Sequence, residues 1–329
     1  MPDMQATIIT GHLQNVSIQA VNADLINEKV FPLLDMPTDR AKIMVYNRGD
    51  QFRSGRKTRA RGTEAPTRDY KVDFITPTTD QYAEKHKITD EDLRDAGLDS
   101  MLSPPINLQQ EAIERNVRLL DLGREVAVAS AIFAATWADG NAGGEDAAGL
   151  WAPPGATNTF LTDVYAGIKE LVKNGVPVTG IHLAMDYNTF QLLKRVDEIR
   201  DQLKYTSNQS LTAPTLAALL GIDEVIVSRG ITSSAKEKKD GTDFTSTMIW
   251  EKNAGKGSAF LYHCPGTPGL KTLCAGVQPR QKCVNGAYRF TKQYREEKLG
   301  AWFLETQEET GIKVVADYAG YLWNDTIVT

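Results

Sequence analysis

The stretch between residues 43 and 74 limits most strongly what this chain can fold into. Its two ends, residues 43–46 and 70–74, have the β-branched and aromatic content of strands, and the second end alternates apolar and charged residues. The segment between them has almost no apolar side chains, so it cannot be buried in a core of its own chain. The sequence therefore predicts a two-stranded ribbon that needs another surface to lie on, because an isolated ribbon is only marginally stable in water.

Basic residues dominate the predicted ribbon, and they are Arg48, Arg53, Arg56, Lys57, Arg59, Arg61 and Arg68. The whole chain has a formal net charge of −5, whereas a general nucleic-acid-binding protein is more often basic throughout. Arginine suits bidentate pairing with carboxylates. Docking on another protein surface is therefore the leading interpretation, with a solvated loop and contact with nucleic acid as the alternatives.

Length and composition indicate a folded protein of more than one domain. The 329 residues suffice for about two domains, and 41% hydrophobic and 24% charged residues are typical of globular chains. The start has no basic segment followed by an apolar one, and the longest apolar run, residues 126–138, is shorter than the ~20 residues that span a bilayer. We expect a soluble chain made in the cytosol, with no membrane partner.

The first ninety residues contain one clear helix signal. Residues 1–42 are weakly patterned and are predicted to form an extended arm. Further along, Thr89 and Asp92 form a predicted capping box, with Ile88 packing on Leu93 as a hydrophobic staple. This predicts a short helix that ends at Gly97.

A much longer helix is predicted from about 104 to 138. It opens with two prolines, which a first turn tolerates, and then continues for ~30 residues or ~45 Å at 1.5 Å per residue. Its second half is apolar on all sides and is predicted to be buried, including Val126, Val128, Ile132 and Phe133. A glycine-rich loop, residues 139–155, follows it.

From residue 160 helices and strands alternate. We predict helices at 160–174, at 187–196 with Asp186 as the N-cap, and at 215–220 with Gly221 at the end. Strands are predicted at 178–185, 223–228, 247–250 and 258–263, and then, after residue 279, at 284–290, 300–306 and within 312–328. This order indicates a compact α/β unit followed by a strand-rich segment.

No catalytic or cofactor-binding motif stands out. The chain lacks GxSxG, HExxH, Walker A and GxGxxG patterns. The spacing of Cys264, Cys274 and Cys283 fits neither a zinc site nor a disulfide framework, so reduced thiols are expected. The adjacent acids Glu296–Glu297 and Glu308–Glu309 are expected to be solvated charge, because neighbours on a strand face opposite sides. We predict no enzyme activity, no cofactor and no metal.

The order of these parts resembles the major capsid proteins of tailed bacteriophages, the Johnson fold, which encapsulin shells share. Three segments carry the resemblance. GREVAVASAIFAATW resembles the long spine helix, DVYAGIKELVKNGVPVTGIHLAMDYNTFQLLKRV resembles the core of the axial domain, and LAALLGIDEVIVSRGI resembles the segment that follows it.

The resemblance implies an α+β fold with four parts. Residues 1–42 would be the N-terminal arm and 43–84 the extended loop, which contains the ribbon. Residues 85–157 and 280–329 would form the peripheral domain with the spine helix, and 158–279 the axial domain. Because only about 42 residues precede the ribbon, we expect a separate scaffolding protein rather than a built-in scaffold.

The function implied is that of a virion shell protein assembled in the host cytoplasm. Copies would associate into hexamers and pentamers of an icosahedral head that encloses double-stranded DNA, with portal and decoration proteins as further partners. The seven basic ribbon residues would then dock on a neighbouring subunit. An encapsulin-like compartment and an α/β enzyme with an unrecognised site are the alternatives, since fold does not fix function.

Overall fold

The computed structural model describes residues 22, 25–38, 41–55, 58–65, 67–99, 108–151, 158–204, 211–236, 244–269 and 271–327. Its helices are α1 Asn27–Val30, α2 Arg48–Gln51, α3 Asp90–Asp99, α4 Leu108–Ala134, α5 Phe160–Lys173, α6 Tyr187–Leu193, α7 Asp197–Lys204 and α8 Ala213–Leu220. Two 3₁₀ turns, Glu297–Leu299 and Asp317–Ala319, lie near the end of the chain.

The strands number fifteen within those described ranges. They are β1 Leu33–Met36, β2 Ile43–Tyr46, β3 Val72–Ile75, β4 Asp80–Thr89, β5 Glu145–Asp146, β6 Ile181–Asp186, β7 Glu224–Ser228, β8 Ile231–Ser233, β9 Ser246–Met248, β10 Ser258–His263, β11 Gly276–Gln281, β12 Arg289–Glu296, β13 Ala301–Thr310, β14 Lys313–Val314 and β15 Gly320–Asn324. They form two large sheets and two isolated ribbons.

The first sheet has six strands and is organised around β13. Over its whole length β13 is antiparallel to β4, with Ala301 opposite Thr89 and Thr310 opposite Asp80. On its other edge it pairs with β12 and then, at its end, with β11, which in turn pairs with β1 in parallel. Buried and half-buried positions alternate along much of β13, as expected for a strand with one face on a core.

The second sheet has the order β5-β15-β10-β6-β7 and holds the main core. All six residues of β10 are buried. Helix α5 packs on this sheet through Phe160, Val164 and Leu171, which repeat at helical spacing on its buried face. The approach is close, because a Cβ at Gly167 would lie 2.6 Å from the Trp323 ring.

Helix α4 connects the two packed regions. Ala112 lies in a small apolar cluster with Ile88 and Leu304 of the first sheet, while Val128, Ala129 and Ile132 belong to the main core. The predicted long helix is therefore present as Leu108–Ala134, and residues 101–107, where we predicted its start, lie outside the described residues.

The prediction that the second half of α4 is buried on all sides is wrong. Val128 and Ile132 are fully buried, but Val126 is 39% exposed and Phe133 is only partly buried. Instead, the charged Glu125 is buried in the same segment. Apolar composition alone could not show that one side of this helix remains open.

The local capping signals predict the helix ends well. The Thr89 amide donates to Asp92 Oδ2 at 3.0 Å, and the Asp92 amide donates to Thr89 Oγ1 at 3.2 Å, which completes the predicted capping box. Asp186 accepts from the Thr189 amide, and Gly221 closes α8 with a left-handed φ of 69°. Helix α3, however, continues past Gly97 to Asp99.

Several segments differ from the predictions, among them α7, β8 and β11, which were not predicted. Residues 25–36 include α1 and β1, and Val30 and Phe31 are fully buried in the main core, so this part of the expected arm is integral to the fold. The ten-residue strand β4 was not predicted. The strand expected at 284–290 begins only at Arg289, because Val284 lies in a fully exposed turn.

Candidate assembly interface

The predicted ribbon is confirmed as the antiparallel pair β2–β3. Its register places Met44 opposite Phe74 and Tyr46 opposite Val72. Met44 and Phe74 are 52% and 56% exposed, so their cross-strand pair forms an apolar patch open to solvent. The expectation of a ribbon almost without apolar groups therefore holds for the loop between the strands but not for the strands themselves.

The start of the loop between the ribbon strands is attached to its own chain. Arg48 Nη1 donates to Asn174 Oδ1 at 3.0 Å, at the carboxyl end of α5, where the helix dipole favours a cation. The Arg48 guanidinium also lies 4.6 Å from the centroid of the Tyr318 ring. Phe52 lies over Gly175, whose φ is +85°, and a Cβ at this glycine would collide with the phenyl ring. These contacts hold the part of the loop that directly follows β2 against the body of the chain.

The other basic residues divide into three groups. Arg68 and Arg53 stabilise the loop itself, since Arg68 Nη2 donates to the Ser54 carbonyl at 2.9 Å and Arg53 lies 3.6 Å from Asp50. Arg59 donates to the carbonyl of Thr63, and Arg61 is exposed with no ion-pair partner in the described part of the chain. Arg56 and Lys57 lie outside the described residues.

The structure thus brings together Arg48 with α5, and Arg53 with Arg68, through contacts inside one chain. Contacts within one chain do not test docking on a neighbour, so the role of the seven residues in docking stays a prediction.

A cluster of charged side chains joins α4 to the first sheet. Arg289 Nη2 lies 2.6 Å from Asp121 and 2.7 Å from Glu308, and Arg124 lies 2.7 Å from Asp121. Arg124 also reaches Glu28 beside α1, at 3.4 Å. The expectation that Glu308 is solvated is wrong, because its side chain is only 5% exposed and pairs with arginine.

The pKa of Asp121 reflects its burial and its two arginine partners. Burial raises the pKa of its carboxyl, but the hydrogen bonds from Arg289 and Arg124 outweigh burial, so the pKa lies below its usual value. For Arg289, burial lowers the pKa, and the hydrogen bonds to Asp121 and Glu308 more than compensate. Asp121 and Arg289 therefore stay charged, and the cluster ties the helix to β12 and β13.

Glu125 forms a second polar junction on α4. Its carboxylate is fully buried and accepts hydrogen bonds from the Ile26 amide at 3.0 Å, the Asn27 amide at 2.8 Å and Trp250 Nε1 at 2.6 Å. Burial raises the pKa of this carboxyl, and the hydrogen bonds oppose the shift. One side chain therefore connects the residues around α1, the long helix and the segment after β9.

Sequence reasoning missed Glu125, although a signal exists. An acidic residue stands directly before the apolar run that begins at Val126. A charge at that place in a helix predicted to be buried calls for hydrogen-bond partners, because an unpaired buried carboxylate is costly. The partners themselves lie about a hundred residues away in both directions and could not be identified from the pattern.

Asp186 organises the second sheet in a similar way. It is 1% exposed, and it accepts from the Thr189 amide at 3.0 Å and from the Ser258 amide at 3.2 Å. Burial raises its pKa to about 6, against the opposing effect of these hydrogen bonds. It caps α6 and links it to the start of β10, which is a structural task.

The described residues also bear on metal binding and on membrane insertion. Across the described ranges, no group of three His, Cys, Asp or Glu side chains is placed to hold a metal ion. In the same ranges, no helix is both long and apolar enough to span a membrane.

Comparison with known proteins gives matches in structure only. No family model matches the chain, and a search of curated proteins gives no significant match. A phage-related protein from Bordetella bronchiseptica RB50 is 18% identical, with a TM-score of 0.65 over 97% of this chain and 96% of that one. The capsid of cyanophage P-SCSP1u is 13% identical, with a TM-score of 0.64 over 98% and 93%. The mature capsid of bacteriophage PhiM1 is 12% identical, with a TM-score of 0.56 over 94% and 89%.

The chain therefore has the fold of phage capsid proteins. This is the α+β Johnson fold that its sequence resembles, and the predicted fold class is confirmed. The likeness extends over nearly the whole chain.

Proposed function

We propose that this chain is the major capsid protein of a tailed bacteriophage. It associates into hexamers and pentamers that build an icosahedral head around double-stranded DNA. The observation that carries the proposal is the likeness to the capsid of cyanophage P-SCSP1u over 98% of the chain. A match of this extent leaves no large part of the molecule over for a separate catalytic domain, so the role is structural rather than enzymatic.

The ribbon is the proposed docking element between neighbouring subunits. The start of its loop, directly after β2, is held by Asn174 and Gly175 of its own chain, while the patch of Met44 and Phe74 and the side chain of Arg61 face solvent. A single exposed ion pair contributes only ~0–1 kcal/mol. The same contact repeated on every subunit of a closed symmetric shell contributes collectively. We assign Arg53, Arg56, Lys57, Arg59, Arg61 and Arg68 to this contact, and Arg48 to the attachment of the loop to its own chain.

The finer parts of the proposal follow from the family resemblance. The chain is divided into an arm, an extended loop, a peripheral domain and an axial domain. It assembles in the host cytoplasm, and its partners are a separate scaffolding protein, a portal protein and decoration proteins. The position of Phe31 in the main core supports one refinement, namely that residues 25–36 belong to the folded body of the subunit rather than to the arm.

Electron microscopy of the expressed chain tests the function directly. The protein is purified with and without the products of neighbouring genes, and the nucleic acid in any particles is measured. Closed shells that contain double-stranded DNA when the phage genes are present support the proposal. Closed shells that contain host enzymes and no DNA would favour an encapsulin-like compartment, and a chain that stays monomeric under every condition would refute a shell role.

A further inference from the structure

Two buried cysteines face each other at the end of the second sheet. Cys264 follows β10 directly and Cys274 precedes β11, and they are 1% and 4% exposed. Their Sγ atoms lie 3.0 Å apart. Both are free thiols in this structure.

The backbone explains why the two sulfurs meet. The Ala275 amide donates to the His263 carbonyl, and His263 Nδ1 contacts the Leu273 carbonyl, both at 3.0 Å. Residues 273–275 therefore lie beside the end of β10, which brings the Cys274 sulfur to 3.0 Å from the Cys264 sulfur. A disulfide has an S–S distance of ~2.05 Å, so the two sulfurs need to approach by only about 1 Å.

The hydrogen bond between the thiols makes them chemically unequal. The Cys274 thiol donates to the Cys264 sulfur, which lowers the pKa of Cys264 against the opposing effect of burial. The same contact and burial raise the pKa of Cys274. A thiolate is the reactive form of cysteine, so we assign the first step of the reaction to Cys264 and the second to Cys274, whose sulfur also lies 2.9 Å from the Gly276 carbonyl oxygen.

We propose that Cys264 and Cys274 form an intrachain disulfide when the protein meets a peroxide. The Cys264 thiolate attacks one oxygen of hydrogen peroxide, the O–O bond breaks, and a sulfenic acid and hydroxide form. The Cys274 sulfur then attacks the Cys264 sulfur, the S–O bond breaks, and water leaves. In sum, two thiols are oxidised to one disulfide and one peroxide is reduced to two waters.

The disulfide closes the loop of residues 265–273, and this loop contacts the ribbon. Lys271 Nζ lies 5.9 Å from the centroid of the Tyr46 ring on β2. Oxidation therefore fixes the base of a surface loop next to the ribbon's first strand. A cytosolic environment keeps such a pair reduced, and an oxidising one outside the cell forms the bond. The chemistry goes beyond the proposed shell function and does not depend on it.

Cys283 provides a matched control within the same chain. It is also buried, but its sulfur lies near the carbonyls of Tyr288 and Gln307 and not near the other two thiols. Cys264→Ser and Cys274→Ser each remove one partner, and Cys283→Ser leaves the pair intact. A serine is close in size to cysteine, so all three variants preserve the packing approximately.

The experiment treats the full-length purified protein with hydrogen peroxide and measures intact mass, free thiols after denaturation and cross-linked peptides. We expect wild type and Cys283→Ser to lose about 2 Da and two thiols, with one peptide joining Cys264 to Cys274. Their melting temperature should rise by a few degrees and return on reduction. Cys264→Ser and Cys274→Ser should show none of these changes.

Other outcomes overturn the proposal. Oxygen adducts on Cys264 without a cross-linked peptide would mean that the sulfurs cannot approach. A cross-link that includes Cys283, or one that joins two chains, would mean that the geometry described here does not control the reaction. If wild type still has three free thiols when it is denatured after the peroxide has been removed, the pair is not an oxidation site.

Discussion

Replacement of Glu125 by alanine removes the acceptor on which three segments of the chain converge. Its buried carboxylate accepts from the amides of Ile26 and Asn27 and from the indole of Trp250. Each buried donor left without a partner costs about 1–3 kcal/mol, so three donors cost at least about 3 kcal/mol. Loss of the buried carboxylate also removes its desolvation penalty, which offsets the higher values. We expect Glu125→Ala to lower the free energy of unfolding by about 3 kcal/mol.

Urea unfolding of the unassembled subunit, followed by circular dichroism, measures this loss. Glu114→Ala is the matched control, because Glu114 lies on the exposed side of the same helix, where it pairs with Arg118 and Gln110. Such a pair contributes about 0.3–0.5 kcal/mol. Equal unfolding midpoints for the two variants would refute the role assigned to Glu125.

Two further measurements separate local from global effects. Loss of the Glu125 contacts should expose the segment around α1, so limited proteolysis should cleave residues 25–36 faster in Glu125→Ala than in wild type. Trp250→Phe should destabilise wild type more than it destabilises Glu125→Ala, because the indole has already lost its acceptor in the latter. Additive losses would show that the indole and the carboxylate act independently.

Three more predictions test other parts of the structure. Val128→Ala should lower the free energy of unfolding by about 1.6 kcal/mol, at ~0.8 kcal/mol for each of the two buried carbon groups removed, and any cavity adds to this loss. Val126→Ala, on the open side of the same helix, should change it by less than about 0.5 kcal/mol. Equal losses in thermal unfolding would contradict the burial described for α4. A variant with serine at four ribbon positions, Arg53, Arg56, Arg59 and Arg61, should keep the melting temperature of wild type but give a lower yield of particles. A normal yield of particles that retain less DNA would instead favour contact with nucleic acid. Because the pKa of Asp186 is raised from 3.8 to about 6, the folded state holds its proton more tightly than the unfolded chain does, so this contribution to stability is complete below pH 3.8 and is lost as the pH rises to about 6. Asp186→Asn should not show that loss of stability. If the melting temperatures of wild type and Asp186→Asn change in parallel with pH, the effect assigned to Asp186 is refuted.

The parts of the fold that were predicted correctly carry their signals locally. Asp186 and Gly221 end or begin helices through contacts with residues at most four positions away, so the sequence around them is sufficient. Strand β4 has no such signal. Most of its residues are exposed and only Ile88 is buried, so it is a strand because β13, more than two hundred residues later, pairs with it along its full length.

The same distinction applies to the candidate interface. The strands of the ribbon were predicted because Tyr70 to Phe74 alternate in polarity. The attachment of Arg48 could not be predicted, because Asn174 and Tyr318 are more than a hundred residues away in sequence and nothing in the ribbon indicates them. Buried Glu308 was misjudged for the same reason, since a charged residue next to another charge gives no sign of the arginines that pair with it across the sheet.

The pairing of distant strands also bears on how the subunit is made. Strand β1 pairs with β11, and β4 pairs with β13, so the first sheet joins residues 33–89 to residues 276–310. In the second sheet, β10 needs β15 at residues 320–324 as its neighbour. Neither sheet can therefore close while the ribosome is still translating the middle of the chain, and contacts of such large sequence separation form slowly. A nascent or prematurely terminated chain presents unpaired strand edges in place of the finished surface, so only a fully synthesised subunit displays the geometry that self-association requires.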